Sequence, residues 1–194
     1  MNPLKILAER AFTIIEVVVV IGVMAIIATI TLISFPQFSE RVGIEQEAGK
    51  LALATRKAQS YALAVREFQS DTGIFPAYGV NVSLGNPLEY VIFGDPNSTT
   101  RFESFLNEAV ETTKVEKRVS INRICGNSQS IPQGSCTLSS ADIVYIRPTP
   151  TIVLTGVDSG ISTLYNDIKV VLKNSDGTIE KNVIIWSTGQ ISIE

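Results

Sequence analysis

Hydrophobic and polar residues are distributed very unevenly along this chain of 194 residues. Residues 12–35 read FTIIEVVVVIGVMAIIATITLISF, and Glu16 is the one charged residue among them. As an α-helix, the uncharged part from Val17 to Phe35 measures about 28 Å, enough to cross the hydrocarbon core of a bilayer. The pattern therefore predicts a membrane-spanning helix. Glu16 needs a partner there, because a carboxylate at membrane depth costs on the order of 2.5–3.5 kcal/mol.

A second apolar pattern follows Pro36 and has the periodicity of an amphipathic helix. Its apolar residues recur at steps of three and four. They are Leu51, Ala54, Ala58, Tyr61, Val65 and Phe68. We expect a long helix that ends before Asp71, with this stripe packed on the sheet of its own domain. Pro36 is expected to kink the helix, because proline removes the hydrogen bond to the carbonyl of Leu32.

From Thr72 onward, glycine and proline become frequent and short β-prone runs replace the helical periodicity. The runs predict strands at Tyr90–Phe93, Val119–Ile124, Ile143–Ile146, Thr151–Leu154, Ile168–Leu172, Val183–Trp186 and Ile191–Ile193. Asp176-Gly177 predicts a hairpin turn, because this pair tolerates positive φ. One long helix followed by strands indicates an α+β fold with a mostly antiparallel sheet. We divide the chain into a leader (1–11), a spanning helix (12–36), its amphipathic continuation (37–70) and a β-rich globular domain (71–194).

The loop from Asp95 to Glu103 has two interpretations. Thr100 followed by Glu103 has the form of a capping box, which predicts a short helix. That helix would carry Phe102, Phe105, Leu106 and Ala109. Alternatively, Asp95, Asn97 and Thr99 place oxygen atoms at alternate positions, as calcium loops do. Thr100 stands where a calcium loop has glycine, and Glu103 comes too early to be the bidentate ligand. We therefore favour a loop that enters a helix, and we predict no metal.

Composition narrows the function. The net charge is −3 and no basic cluster is interleaved with aromatic residues, so nucleic-acid binding is not indicated. The chain has no histidine, which removes the commonest general base and metal ligand. Phosphate-binding loops, dinucleotide fingerprints and nucleophile elbows are also missing, so we predict no catalytic residue, no cofactor and no enzyme. Tyr78, Tyr90, Tyr145, Tyr165 and Trp186 could form an adhesive surface, but Tyr145 and Trp186 lie in apolar runs typical of a core.

Two cysteines, Cys125 and Cys136, lie in a segment rich in glycine, serine and asparagine, as expected of a surface loop. If the domain is exported, a disulfide between them is the favoured interpretation. Closing a loop of this length contributes about 3 kcal/mol in the chain-entropy model. Free thiols or a partial metal site are the alternatives.

The N-terminus carries both an orientation signal and a cleavage signal. Lys5 and Arg10 precede the apolar run and no comparable cluster follows it directly, which places the leader in the cytoplasm and the C-terminal domain outside. A secretory signal peptide is cut after its apolar core, whereas here the small residue Ala11 precedes it. A cut between Ala11 and Phe12 would leave the helix on the mature protein. Its new amino group would then lie one helical turn from Glu16.

The segment Ala11-Phe12-Thr13-Ile14-Ile15-Glu16-Val17 resembles the processing motif of type IV prepilins and type II secretion pseudopilins, although the family most often has glycine at the position of Ala11. The resemblance implies cleavage by a prepilin peptidase and N-methylation of Phe12. It also implies that Glu16 pairs with the terminal amine of a neighbouring subunit, and that the long helix packs on the sheet in a pilin-like fold. An ordinary signal anchor with a stray glutamate is the alternative.

The C-terminal segment Ser187-Thr188-Gly189-Gln190-Ile191 more weakly resembles the ending of H-type minor pseudopilins and related minor pilins. Together the resemblances imply a structural, preferably minor, subunit of a pilus-like filament or pseudopilus. Its partners would be other filament subunits, the peptidase, an inner-membrane assembly platform and, before assembly, lipid. It would reside in the inner membrane and then in a periplasmic or cell-surface filament. The rival hypotheses are an anchored extracytoplasmic binding protein that does not polymerise and a tethered hydrolase that uses only carboxylates.

Overall fold

The computed structural model describes residues 13–69, 72–116, 118–128, 131–147 and 151–194, without the side chains at 33–37 and 131–133. The chain forms two compact units, Met1–Ser39 and Glu40–Glu194. The described residues form one long helix, then antiparallel strands and one 3₁₀ helix, so the predicted α+β class is confirmed.

Helix α1 spans Ile14–Leu63. Within the second unit, one of its faces is buried at steps of three and four. This face comprises Ile44, Ala48, Leu51, Thr55, Ala58 and Ala62. Four of these residues are alanine or threonine, so small side chains make up most of the buried face. The packing of this helical segment on its own domain is therefore confirmed, except that Val65 of the predicted stripe is 47% exposed.

The helix ends earlier than predicted, at Leu63 rather than before Asp71. The amide of Arg66 donates to the carbonyl of Tyr61, and the amide of Val65 donates to that of Ala62. Val65 has a positive φ of 52°. This is a Schellman motif, which usually contains glycine where this chain has Val65. Because Val65 and Phe68 continue the apolar periodicity, the sequence pattern extends past the stop.

Eleven strands lie within the described residues of the domain, numbered in chain order. They are β1 (Ala77–Ser83), β2 (Glu89–Asp95), β3 (Ala109–Lys114), β4 (Val119–Ser128), β5 (Ile131–Ser135), β6 (Ser140–Ile146), β7 (Thr151–Asp158), β8 (Ile161–Leu164), β9 (Asp167–Asn174), β10 (Glu180–Trp186) and β11 (Ile191–Ile193). All seven predicted strands are present, several of them longer than predicted. The predicted hairpin turn joins β9 to β10, with Gly177 at a φ of 71°.

The strands form two antiparallel sheets where the sequence predicted one. The six-stranded sheet has the order β3-β2-β1-β6-β7-β8, and the five-stranded sheet has the order β11-β10-β9-β4-β5. Strand β1, which was not predicted, lies inside the six-stranded sheet between β2 and β6. Its Gly79 permits close packing, because a Cβ there would lie 2.7 Å from the carbonyl oxygen of Ile143.

The main core is one continuous cluster that draws on the helix and both sheets. The helix contributes Leu51 and Ala58, the six-stranded sheet Val80 and Ile143, and the five-stranded sheet residues such as Val170. A smaller cluster of Val91, Phe93 and Val144 lies on the opposite face of the six-stranded sheet. The central strands of that sheet are therefore buried on both faces.

Candidate assembly site

The start of helix α1 holds the carboxylate that the sequence singles out. Thr13 immediately precedes the helix, and its Oγ1 accepts a hydrogen bond of 3.3 Å from the backbone amide of Glu16. The carbonyl of Thr13 accepts a second bond from the same amide at 3.1 Å. Thr13 is thus the N-cap and Glu16 is the third helical residue, where a negative charge interacts favourably with the helix dipole.

The helical surface that follows is apolar on all sides. The span Ile14–Leu32 is long and apolar enough to cross a membrane, and none of it is buried. The hydroxyl of Thr29 donates to the carbonyl of Ala25 at 2.8 Å, and that of Thr31 donates to the carbonyl of Ala28 at 2.9 Å. These two polar side chains are therefore satisfied inside the helix, as an apolar surrounding requires. The helix could be a membrane anchor or a signal sequence.

Three sequence-predicted positions fall partly or wholly outside the described residues. Ala11 and Phe12, the predicted cleavage site, lie outside them altogether. The helix is assigned through position 36, but the side chain of Pro36 is not described. Cleavage, methylation and the kink at Pro36 therefore stay predictions.

The predicted disulfide between Cys125 and Cys136 is present, with an S–S distance of 2.00 Å. Cys125 is buried in β4, and Cys136 directly follows β5. The bond links the ends of this hairpin, in which Gly126 of β4 is paired with Ser135 of β5. Because both sulfur atoms are consumed by the bond, the free-thiol and metal-site alternatives for these cysteines are wrong.

The loop between β2 and β3, which we call the strap (residues 96–107), differs from both interpretations of its sequence. The predicted helix is reduced to the 3₁₀ helix Ser104–Leu106, and Ala109 begins β3 instead. Thr100 does not cap a helix; its φ is 58°, and its amide donates to Asp95 Oδ2 at 2.8 Å. The other oxygen of Asp95 accepts the amide of Thr99 at 3.0 Å.

The calcium interpretation finds no support in the oxygens of this loop. Both oxygens of Asp95 bind backbone amides, and the amide nitrogen of Asn97 donates to Glu103 Oε2 at 2.7 Å. In the part of the chain that the structure describes, no group of three or more histidine, cysteine or acidic residues could hold a metal ion. The carboxylates of this loop hold its own polypeptide.

Sequence reasoning missed three residues that organise these regions. Thr13 could have been found, since Thr13-x-x-Glu16 has the form of a capping box. Glu108 and Asp142 are buried acids next to the strap, and Glu108 accepts a hydrogen bond from the amide of Glu103. Nothing in the linear pattern marks either acid, because Asp142 meets the strap only through the folding of β6 beside β1.

The tyrosines do not form an adhesive surface. Tyr78, Tyr90, Tyr145 and Tyr165 are all buried, and Trp186 is half-buried. Burial raises the pKa of Tyr145 to about 12. The structure thus confirms the core location predicted for Tyr145.

Comparison of this chain with models of known protein families, with curated proteins and with solved structures finds no match.

Proposed function

We propose that this protein is a structural subunit, preferably a minor one, of a type IV pilus-like filament or a type II secretion pseudopilus. The observation that supports this most strongly is the span Ile14–Leu32, whose apolar side chains are unburied all around the helix, with Glu16 in its first turn. Such a surface needs lipid or other protein around it. In this proposal lipid surrounds it before assembly, and the helices of neighbouring subunits surround it afterwards.

The single charge in this span favours the replacement of lipid contacts by contacts with neighbouring helices. Lipid is as apolar as a neighbouring helix, so apolar contact alone does not favour association in a membrane. A carboxylate at this depth does favour association, because pairing Glu16 with the terminal amine of a neighbour removes the cost of an unpaired charge. Cleavage before Phe12 would create that amine. The pilin-like fold, with its long helix packed on a β-rich domain, is part of the proposal.

The second unit supports export of the C-terminal domain. The Cys125–Cys136 disulfide is typical of proteins that fold in an oxidising compartment. Lys5 and Arg10 on the other side of the span favour the same orientation. The protein would thus sit in the inner membrane with the β-rich domain outside. In that membrane it would meet the peptidase and the assembly platform.

Mass spectrometry of the mature N-terminus tests the processing step. A peptide that begins at N-methylated Phe12 is the expected result. A native protein that retains residues 1–11 and is never recovered in a polymer would instead favour the rival hypothesis, an anchored binding protein, since the anchor alone accounts for the same apolar helix.

Two substitutions separate the proposed pairing from the local role of Glu16 in the helix cap. Glu16→Gln keeps an acceptor at the third helical position but removes the charge. We expect normal membrane insertion and at least about a tenfold loss of incorporation into filaments, equivalent to about 1.4 kcal/mol. Thr13→Ala is the matched control, because it removes the cap and keeps the charge. Wild-type incorporation of Glu16→Gln, or an equal loss with Thr13→Ala, would contradict the pairing.

A further inference from the structure

The strap is tied to the domain by backbone hydrogen bonds to buried carboxylates. Besides the two amides bound by Asp95, the amide of Glu103 donates to Glu108 Oε2 at 2.7 Å. The backbone of Phe102 lies close enough to the carboxylate of Asp142 to lower its pKa, against the larger effect of burial. The base of the strap is closed by a bond of 3.0 Å from the amide of Gly94 to the carbonyl of Glu108. Asp95 and Glu108 thus fix the path of this loop, and Asp142 lies beside it.

The strap covers an apolar patch on the outer face of the six-stranded sheet. Its Phe102 packs on Phe93, with ring centroids 5.4 Å apart. Beneath them lie Val91 and Val144, which together with Phe93 form the smaller core cluster. If the strap opened, this patch would become exposed to solvent. Closing the strap therefore buries apolar surface and three carboxyl groups together.

The buried acids lack a buried cation. Asp95, Glu108 and Asp142 are each at most 2% exposed. No lysine or arginine is among the buried residues of the described chain, and Oε1 of Glu108 has no hydrogen-bond partner there. The nearest charges on the strap are Arg101, which is exposed, and the acid Glu103. Burying all three acids in their charged form at the same time is therefore costly.

The absence of a buried cation among the described residues favours proton binding to Asp142 and Glu108. Burial raises the pKa of Asp142 from 3.8 to about 6, although hydrogen bonds from Asn81 and Phe102 and the charge of Arg101 act in the opposite direction. Burial likewise raises the pKa of Glu108, and the charges of Asp95 and Glu103 add to this effect. The closed strap therefore holds a proton more tightly than the solvated acids of an open strap would. By linkage, proton binding favours the closed strap, and proton loss as pH rises through about 6 favours opening.

We propose that the strap is a proton-coupled latch, held closed by a proton on Asp142 or Glu108 and loosened when that proton is lost. The latch controls exposure of the apolar patch formed by Val91, Phe93 and Val144. Asp142 and Glu108 lie within the second unit, whereas Glu16 lies in the first. The latch therefore operates independently of the assembly role proposed for Glu16.

Amide hydrogen exchange of the full chain in detergent tests the latch, followed between about pH 3.5 and 7 on peptides that cover the strap. After correction for intrinsic exchange rates, we expect protection of the strap to fall by up to about 100-fold as pH rises, since each pH unit between 3.8 and about 6 contributes up to tenfold. Asp142→Asn should remove most of this dependence, and Glu108→Gln should reduce it. Asp176→Asn, in the exposed β9–β10 turn, should leave it unchanged.

Peptides from β6 serve as the internal control, because they should stay protected at every pH if the domain remains folded. Should Asp142→Asn lose that protection, Glu108→Gln carries the test alone. Strap protection in the wild type that does not change with pH would overturn the proposal. The proposal would also be overturned if strap protection depended on pH as strongly as in the wild type in both acid variants, provided that they keep β6 protected.

Discussion

The two halves of helix α1 have the same backbone structure and very different surfaces. In Ile14–Leu32 the side chains are exposed on every side; Val20, for example, is 47% exposed and Val23 is 50% exposed. From Glu40 to Leu63 the exposure alternates, so that Ile44 is fully buried and Leu53 is 64% exposed. Apolar side chains are therefore exposed all around the first half, whereas in the second half burial is restricted to one stripe.

This difference implies that the two halves need different surroundings. A stripe with the helical period needs one packed partner, which the domain supplies. Uniform apolarity needs an apolar surrounding on all sides, and the chain supplies none for Ile14–Leu32 within the described residues. The contrast also extends to charge, because the second half carries pairs such as Lys50–Glu47 at 2.6 Å, whereas the first half carries Glu16 alone.

The largest effect is expected from placing charges in the first half. Replacing both Ile21 and Met24 with arginine should cost about 5–7 kcal/mol of insertion free energy, because each charge near the centre of a span costs about 2.5–3.5 kcal/mol. We expect most of the protein to leave the membrane fraction on alkaline extraction. The matched control places arginine at Leu53 and Leu63, which are also exposed. If the control were extracted equally, the two halves would not differ as we infer.

A core substitution tests the second half. Leu51 is 1% exposed, so Leu51→Ala should lower the free energy of unfolding of the domain by about 2–5 kcal/mol. Urea unfolding in detergent, followed by the fluorescence of Trp186, measures this change. Leu32→Ala is the control, because Leu32 is 73% exposed and should leave domain stability within about 0.5 kcal/mol of wild type. A small effect of Leu51→Ala would mean that the domain does not depend on the helical stripe.

Features that depend on local pattern could be predicted from the sequence. The apolar span, the buried stripe, seven strands, the Asp176-Gly177 turn and the disulfide each leave a signal in neighbouring residues or in composition. The signal of the strands that were missed is weaker, although Tyr78, Val80 and Val82 of β1 do alternate with polar residues and glycine. Strand β1 contains Gly79 and Asn81, which are poor strand formers, and it is stabilised by pairing with strands on both sides.

The strap shows a second reason why part of the structure could not be predicted from the sequence. Thr100 and Glu103 have the spacing of a capping box, yet Asp95 binds the amide of Thr100 and Glu108 binds that of Glu103. These bonds compete with a helix for the same backbone donors, as carboxylates near turns often do. Asp142, which is distant in sequence, completes the arrangement. Only the folded sheet brings these acids together, so no local rule identifies them.

The end of the second half provides the smallest expected effect and the sharpest test of local geometry. Val65 occupies the left-handed position of the Schellman motif, which costs an L-residue about 1–2 kcal/mol. Glycine relieves this strain but adds about 0.5–1 kcal/mol of conformational entropy to the unfolded chain. Val65→Gly should therefore raise the free energy of unfolding by about 0.5–1 kcal/mol in the same urea experiment. Leu63→Gly, two residues earlier and inside the helix, should lower it by about 1 kcal/mol. If both glycines destabilised the domain, the helix would have to continue through Val65, as the apolar periodicity alone predicts.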